Sequence, residues 1–293
     1  MARVAWLGLG VMGYPMAGHL KVRGGHEVVV YNRTEAKAKK WQEEFGGEVA
    51  DTPADATRDC EAVFACVGND DDLRSITTGP NGAFRSMHAD AIFVDHTTAS
   101  AKVARELASA AKDGGFKFLD CPVSGGQAGA ENGALTVMAG GDPAAFAKAE
   151  PLIKCFARAV RLMGPSGSGQ LAKMCNQIAI AGLVQGLAES IHFAECAGLD
   201  VTALIETISK GAAQSWQMDN RWKTMHERKF DFGFAVDWMR KDLAICFDEA
   251  ASNGADLAVA KLVDRFYGEI QTLGGNRWDT SSLIARLKPK TAD

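Results

Sequence analysis

The chain has 293 residues, of which 47% are hydrophobic and 23% charged, as in folded globular proteins rather than disordered ones. Its net charge of −4 argues against a nucleic-acid partner or an anionic membrane surface. No apolar run reaches the ~18 residues of a membrane-spanning helix. Because the opening residues lack the cleavage site of a secretion leader, we expect a cytoplasmic protein.

Short apolar runs rich in β-branched residues alternate with longer helical patterns through the first half of the chain. The predicted strands are residues 4–9, 27–31, 62–67, 91–95, 116–120, 135–139 and 158–163. The predicted helices between them include residues 12–22, 34–45 and 100–112, and Thr34, Ser100 and Asp142 are expected N-caps. This alternation predicts parallel strands buried between helices.

A run rich in glycine, proline and serine at residues 164–169 marks a domain boundary. We therefore divide the chain into a first domain, 1–164, and an all-helical domain, 165–293. The second domain begins with one long helix at about 166–197, which leaves the first domain. Gly182 and Gly186 lie on one side of this helix and predict close packing, within the chain or against a second subunit.

The sequence G-x-G-x-x-G follows the first predicted strand and opens a helix. Gly8 permits a tight turn, Gly10 lets the backbone approach a pyrophosphate, and Gly13 lets the helix pack on the strand. The predicted cofactor-binding residues of this loop are Gly8, Leu9, Gly10, Val11, Met12 and Gly13. The motif in this position predicts a dinucleotide-binding domain.

The second predicted strand ends in Asn32, Arg33 and Thr34, where an NAD-specific site usually places an acid for the ribose hydroxyls. Arg33 can instead pair with a 2′-phosphate, and its two neighbours can add hydrogen bonds. NADP is therefore the favoured cofactor. If Arg33 is only a solvent-exposed residue of the turn, the site tolerates either NADP or NAD.

Two later segments carry polar groups that could meet a small acid. Ser124, Gly125 and Gly126 follow a predicted strand and could hold a carboxylate, although the same spacing suits an ordinary connection. At the start of the long helix, Lys173 shares one face with Asn176 and Gln177. From spacing alone, a solvated surface lysine is the commoner reading.

The chain resembles the β-hydroxyacid dehydrogenase family, which includes 3-hydroxyisobutyrate dehydrogenases, tartronate semialdehyde reductases and plant glyoxylate/succinic semialdehyde reductases. The resemblance depends on four motifs in the family's order, at residues 8–16, 120–126, 167–173 and 241–243. It implies a Rossmann domain, a long interdomain helix and an all-α C-terminal domain. It also implies assembly as a homodimer or homotetramer.

The resemblance assigns roles to particular positions. It implies that Lys173 is the general acid/base, that Ser124 with Gly125 and Gly126 binds the substrate carboxylate, and that Lys241 closes over the nicotinamide end. The further cofactor contacts that it implies are Cys66, Val67, Gly68 and Thr98.

The chain departs from many family members after the lysine, where they carry asparagine at the second amide position. Here Asn176 is followed by Gln177, as in the tartronate semialdehyde reductases, so either amide could orient the substrate. Trp216 and Phe234 are candidates for the pocket wall, with core or subunit packing as an equal alternative.

The expected activity is hydride transfer that interconverts short β- or γ-hydroxy acids and their semialdehydes, with NADP favoured. An ordinary lysine, with a pKa near ~10.4, is protonated at neutral pH and suits carbonyl reduction. The alternatives are an imine reductase on the same scaffold and a noncatalytic NADPH-binding sensor. The seven dispersed cysteines indicate reduced thiols, and no metal site is predicted.

Overall fold

The computed structural model describes residues 1–287, so the last six residues of the predicted second domain lie outside the described part. The chain divides into two compact units, Met1–Lys173 and a second that begins at Met174. The strands are β1 Arg3–Leu7, β2 Glu27–Tyr31, β3 Glu48–Val49, β4 Ala62–Ala65, β5 Ile92–Asp95, β6 Lys117–Asp120, β7 Val123–Ser124, β8 Leu135–Gly141 and β9 Ala157–Gly164. The α-helices are α1 Gly13–Val22, α2 Glu35–Phe45, α3 Pro53–Ala56, α4 Asp70–Thr77, α5 Ala101–Asp113, α6 Gly126–Glu131, α7 Pro143–Ile153, α8 Ser168–Ala197, α9 Val201–Ile208, α10 Trp216–His226, α11 Val236–Asn253 and α12 Ala258–Thr272.

All nine strands form one sheet, in which β3, β2, β1, β4, β5 and β6 are neighbours in that order and run parallel. Across the sheet, strand numbers fall from β3 to β1 and then rise from β4 to β6, so the strand order reverses between β1 and β4. In a doubly wound sheet, ligands bind outside the carboxyl ends of the strands at this switch point. The strand order therefore places the candidate cofactor site at the ends of β1 and β4.

The sheet is buried on both faces. Successive side chains of its central strands point to opposite faces and pack into different hydrophobic clusters. Val4 and Trp6 of β1 belong to one buried cluster, whereas Ala5 and Leu7 belong to another. A strand buried on both faces reads as a continuous apolar run, which is the pattern that predicted it. Helix α8 runs from the first unit into the second, whose helices share a separate core.

The predicted fold class is confirmed: a Rossmann-like parallel sheet is followed by a long helix and a helical region. Several details differ from the predictions. The first strand ends at Leu7 and not at residue 9, and β4 ends at Ala65 and not at residue 67. The two-residue strands β3 and β7 carry no periodic signal. Strand β8 runs antiparallel to β6 and β7, although parallel strands were expected. No helix within residues 1–287 is long and apolar enough to cross a membrane.

Candidate cofactor and catalytic site

In the glycine loop after β1, two glycines leave no room for a side chain, whereas the third faces open space. A Cβ on Gly8 would lie 2.4 Å from the Cys66 carbonyl oxygen, and one on Gly13 would lie 2.1 Å from the Gly8 oxygen. By contrast, among the described residues, no atom outside Gly10 and its two chain neighbours lies within 4 Å of the position a Cβ would take on Gly10. The loop is therefore packed against the protein on one side and leaves its backbone approachable at Gly10, as a bound pyrophosphate requires.

Asn32 acts on this loop from the end of β2. Its Oδ1 accepts a hydrogen bond from the Leu9 amide at 2.9 Å, and its Nδ2 donates to the Thr34 carbonyl at 3.0 Å. Both polar groups of the side chain thus bond the protein's own backbone and tie the glycine loop to the turn after β2. Thr34 occupies the expected N-cap position of α2, but its side chain makes no capping hydrogen bond within the described structure.

Arg33 is the exposed cation of the same turn. Its side chain is 87% exposed, and Nη1 lies 3.2 Å from Oδ1 of Asp72 in the first turn of α4. A surface pair of this kind is weak because the guanidinium is well solvated. A phosphate dianion placed beside the turn can therefore compete for this guanidinium.

The loops after β4 and β5 are joined by the Thr97 hydroxyl. Its Oγ1 accepts a hydrogen bond from the Val67 amide at 3.0 Å, and the Thr97 amide donates to Asp95 Oδ1 at 2.9 Å. The predicted cofactor positions 66–68 and Thr98 thus follow neighbouring parallel strands. They lie at the same edge of the sheet as the glycine loop.

Asp95 and His96 form a buried pair of titratable residues at the end of β5. Burial raises the pKa of Asp95 to about 7, although hydrogen bonds from Thr97 oppose the shift. Burial lowers the pKa of His96 to about 4, so its ring is neutral near pH 7. Its Nδ1 lies 2.6 Å from the Cys121 carbonyl oxygen, which fixes the proton on that nitrogen.

The Asp120 carboxylate at the end of β6 caps the start of α8. Its Oδ1 accepts from the Gly167 amide at 2.7 Å, and its Oδ2 accepts from the Gln170 amide at 2.9 Å. Burial raises the pKa of Asp120, while these backbone donors oppose the rise. A Cβ on Gly169 would lie 2.3 Å from the Asp120 backbone oxygen, so the glycines of this motif allow the helix to begin directly against the sheet.

Helix α8 carries Lys173, Asn176 and Gln177 on one face, and Lys173 is only 7% exposed. Asn176 Nδ2 donates to Gln177 Oε1 at 2.8 Å, and Gln177 Nε2 donates to Asp242 Oδ2 at 2.7 Å. The Lys241 ammonium pairs with the other oxygen of Asp242 at 3.1 Å. Gln177 is buried and links Asp242 to Asn176, and this relay orients the Asn176 amide.

The predicted carboxylate loop has the backbone that close approach requires. Ser124 ends β7 and is paired with Thr136 of β8. Gly125 and Gly126 follow with φ angles of 131° and 62°, in a region that side chains disfavour. Apart from Gly126, its two chain neighbours and the backbone of α6, no atom of residues 1–287 lies within 4 Å of the position a Cβ would take on Gly126.

The two candidate wall residues differ in burial. Trp216 is 48% exposed, and its ring lies 4.9 Å from the Arg221 guanidinium carbon, so it does not belong to the core. Phe234 is half-buried against the helical core, and its amide donates to Asp279 Oδ2 at 2.9 Å. Core packing therefore accounts for Phe234 in part and does not account for Trp216.

Six residues of the site carried no predicted role: Asp95, His96, Thr97, Asp120, Gln170 and Asp242. Asp95 could have been found from the sequence, since an acid at the end of a buried run marks the carboxyl end of a strand. Gln170 and Asp242 are polar residues within helices, and only the fold reveals their partners. Among residues 1–287, no group of three His, Cys, Asp or Glu side chains is arranged to hold a metal ion.

Comparison with known proteins identifies the family. Residues 3–164 match the family model for the NAD-binding domain of 6-phosphogluconate dehydrogenase. Residues 167–287 match the NAD-binding model of NADP-dependent 3-hydroxyisobutyrate dehydrogenase. The chain belongs to the β-hydroxyacid dehydrogenase family.

Individual relatives cover almost the whole chain. An uncharacterized oxidoreductase of Shewanella frigidimarina is 64% identical over 98% of this chain and 99% of its own length. A probable 3-hydroxyisobutyrate dehydrogenase-like protein of Arabidopsis thaliana is 38% identical over 98% of this chain and 85% of its own length. The solved Mycobacterium tuberculosis 3-hydroxyisobutyrate dehydrogenase with L-serine is 28% identical, with a TM-score of 0.89 over 98% of this chain and 99% of that chain. The family assigns this member to oxidoreductases that act on CH–OH groups, as predicted.

We predict that Asp95→Asn changes how stability depends on pH. Because the folded-state pKa of Asp95 is raised from 3.8 to about 7, its proton binds more tightly in the folded chain than in the unfolded one. This contribution is complete below about pH 4 and is lost as the pH rises to about 7. Relative to wild type, the variant should gain free energy of unfolding across this window, by at most about 1.4 kcal/mol per pH unit.

Urea unfolding at a series of pH values measures this difference, and the opposing contribution of His96 is common to both proteins. Asp51→Asn, at an exposed acid, is the matched control and should show no such trend. A wild-type and an Asp95→Asn curve that run parallel from pH 4 to pH 7 would show that Asp95 does not titrate in this way.

Proposed function

We propose that this protein is an NADP-preferring dehydrogenase that interconverts short β- or γ-hydroxy acids and the corresponding semialdehydes, with Lys173 as general acid/base. The observation that carries the proposal is the position of Lys173. This lysine is buried in a helix that begins against the carboxyl ends of the strands, where the predicted cofactor loops also begin. A buried ammonium with an oriented amide one turn away suits an oxygen that gains and loses a proton.

The residues present fit a nicotinamide cofactor, since Gly10 leaves its backbone approachable, Asn32 holds the loop after β1, and Thr97 joins the loops after β4 and β5. When bound, the nicotinamide accepts or supplies the hydride. The protein's own part is to hold the proton. In reduction, the Lys173 ammonium donates to the carbonyl oxygen; in oxidation, the neutral amine takes the hydroxyl proton.

The substrate's carboxylate end is assigned to Ser124 and the Gly125–Gly126 backbone, with Asn176 as a further amide and Lys241 beside the nicotinamide end. Of the two amides, Asn176 is the one proposed to meet the substrate, because Gln177 is buried and bonded to Asp242. The Mycobacterium tuberculosis relative was solved with L-serine, which is a β-hydroxy acid. This supports short β-hydroxy acids as the first substrates to test.

Initial rates test the proposal directly. NADP⁺ and NAD⁺ are assayed with 3-hydroxyisobutyrate, L-serine, D-glycerate and 4-hydroxybutyrate, and NADPH with succinic semialdehyde and glyoxylate. Turnover of one acid or semialdehyde is the expected result. Tight NADPH binding without turnover of any of them would contradict the proposal and favour an imine substrate or a noncatalytic sensor.

We expect Lys173→Ala to lower kcat by about 100-fold or more, because the proton transfer then lacks a positioned group. Cofactor affinity, measured by quenching of tryptophan fluorescence, should stay near that of wild type. Lys148→Ala, at an exposed lysine of α7, is the matched control and should keep full activity. Near-normal kcat in Lys173→Ala would remove this lysine from the mechanism.

We expect Arg33→Ala to lower kcat/KM for NADP⁺ by about 10- to 100-fold, because a charge-assisted contact to the 2′-phosphate is lost. The value for NAD⁺ should barely change. Arg58→Ala is the matched control, since Arg58 is also an exposed arginine paired with an aspartate. Equal use of both cofactors by the wild-type enzyme would defeat the proposed preference.

The proposed partner, besides the small-molecule ligands, is a second copy of the chain, bound through an exposed face of α8. On this face Phe193 is 71% exposed and Leu183 is 46% exposed. Apart from adjacent residues and the backbone of α8, the nearest described atom to a Cβ on Gly182 lies 4.0 Å away, and none lies within 4 Å of one on Gly186. Close packing inside the chain therefore does not explain these glycines, which supports the predicted contact with a second subunit.

We expect the double variant Gly186→Glu, Phe193→Glu to lower the molar mass measured by sedimentation from that of a dimer or tetramer to that of a monomer. Two buried charges would oppose the association, whereas glutamate favours a helix more than glycine does. Val22→Glu, at a 68% exposed side chain of α1, is the control. A monomeric wild-type protein at micromolar concentration would contradict the proposed assembly.

A further inference from the structure

Gln170, in the first turn of α8, bonds two backbone groups of one loop segment with its side chain. Its Oε1 accepts a hydrogen bond from the Ala99 amide at 3.1 Å, and its Nε2 donates to the Thr97 carbonyl at 2.8 Å. The residue is 1% exposed, so water does not replace these bonds when they break. A buried amide with both ends bonded resists displacement in either direction.

The backbone of Gln170 is held as firmly as its side chain. Its amide donates to Asp120 Oδ2 at 2.9 Å, so the residue is fixed to β6 and to the loop after β5 at once. Thr97, which receives the Nε2 bond, also supports the Val67 amide through its hydroxyl. Gln170 therefore connects the start of α8 to both loops that carry the predicted cofactor contacts.

Lys173 follows Gln170 by one helical turn and lies on the same side of α8. Because the first turn is bonded to the 97–99 segment, movement of that segment and movement of Lys173 are coupled. Thr98, a predicted cofactor contact, lies between the two backbone groups that Gln170 holds.

We propose that Gln170 is a positioning residue that fixes Lys173 relative to the 97–99 segment beside the nicotinamide. The inference rests on the proposed function for its kinetic consequences and on the hydrogen bonds alone for its structural ones. Small misplacements of reacting groups are costly in rate, about 100-fold for 1 Å. Loss of the Gln170 hydrogen bonds should therefore lower the rate of the chemical step.

The first test is Gln170→Met, which keeps the length of the side chain and removes both hydrogen bonds. We expect kcat to fall by about 10- to 100-fold and the primary deuterium isotope effect on kcat to rise, because hydride transfer becomes slower relative to the other steps. The affinity for 2′-phospho-ADP-ribose, which lacks the nicotinamide, should match wild type. The affinity for NADP⁺ should fall.

The second test is Gln170→Glu, a conservative variant with a pH signature. A protonated carboxyl can accept from the Ala99 amide and donate to the Thr97 carbonyl, as the amide does, whereas the ionised form cannot donate. The ratio of its kcat to that of wild type should therefore rise as the pH falls from about 8 to about 6, where burial favours the protonated form. A ratio independent of pH would contradict the role of the Thr97 bond.

Gln185→Met is the matched control, because Gln185 is a buried glutamine of the same helix whose amide bonds Glu189 within α8. It should leave kcat and the isotope effect unchanged. If Gln170→Met lowers thermal stability and the affinities for NADP⁺ and 2′-phospho-ADP-ribose in parallel, without a change in isotope effect, Gln170 is only a packing residue and the proposal is wrong.

Hydrogen exchange separates this inference from the proposed function. In Gln170→Met the Ala99 amide, whose acceptor is removed, should exchange at least about 10-fold faster, while the amides of β1 stay protected. This result needs no substrate, so it holds even if wild type reduces none of the proposed compounds. Unchanged exchange at Ala99 together with unchanged kcat would overturn the inference.

Discussion

The site depends on one interaction: the buried Asp120 carboxylate accepts the first amides of α8. An ionised carboxylate is costly to bury, and its stabilisation here comes from backbone donors at the positive end of a helix. Gly169 permits this contact because a Cβ there would meet the Asp120 backbone oxygen. The cap thus fixes where α8 begins, and through the helix it fixes Lys173 relative to the sheet.

The same edge of the sheet holds a second buried acid, and the two acids have different partners. Asp95 bonds Thr97 and supports the loops after β4 and β5, whereas Asp120 bonds the helix. Burial raises the pKa of both carboxyl groups, so both lower the free energy of unfolding at neutral pH. Gln170 joins the two sets of hydrogen bonds, which together hold this end of the sheet.

Local signals were sufficient for the parts of the fold that are repetitive. Apolar runs predicted the central strands. The spacing of Gly8, Gly10 and Gly13 predicted the glycine loop, in which the structure leaves no room for a side chain at Gly8 or Gly13. The partners of Gln170 lie about seventy residues earlier in the chain, a distance over which no periodicity carries information. Asn32 illustrates the same difficulty: its position predicts a ligand contact, which stays a prediction, whereas its bond to the glycine loop is visible only in the fold.

The length of the Gln177 side chain shows what the departure from the family pattern changes at this position. Glutamine carries one methylene more than asparagine, and Gln177 reaches Asp242 while its oxygen accepts from Asn176. Asp242 in turn balances the Lys241 ammonium at 3.1 Å, so a carboxylate, an ammonium and two amides form one chain of contacts. Each member restrains the next, so the charge on Asp242 contributes through Gln177 to the orientation of the Asn176 amide.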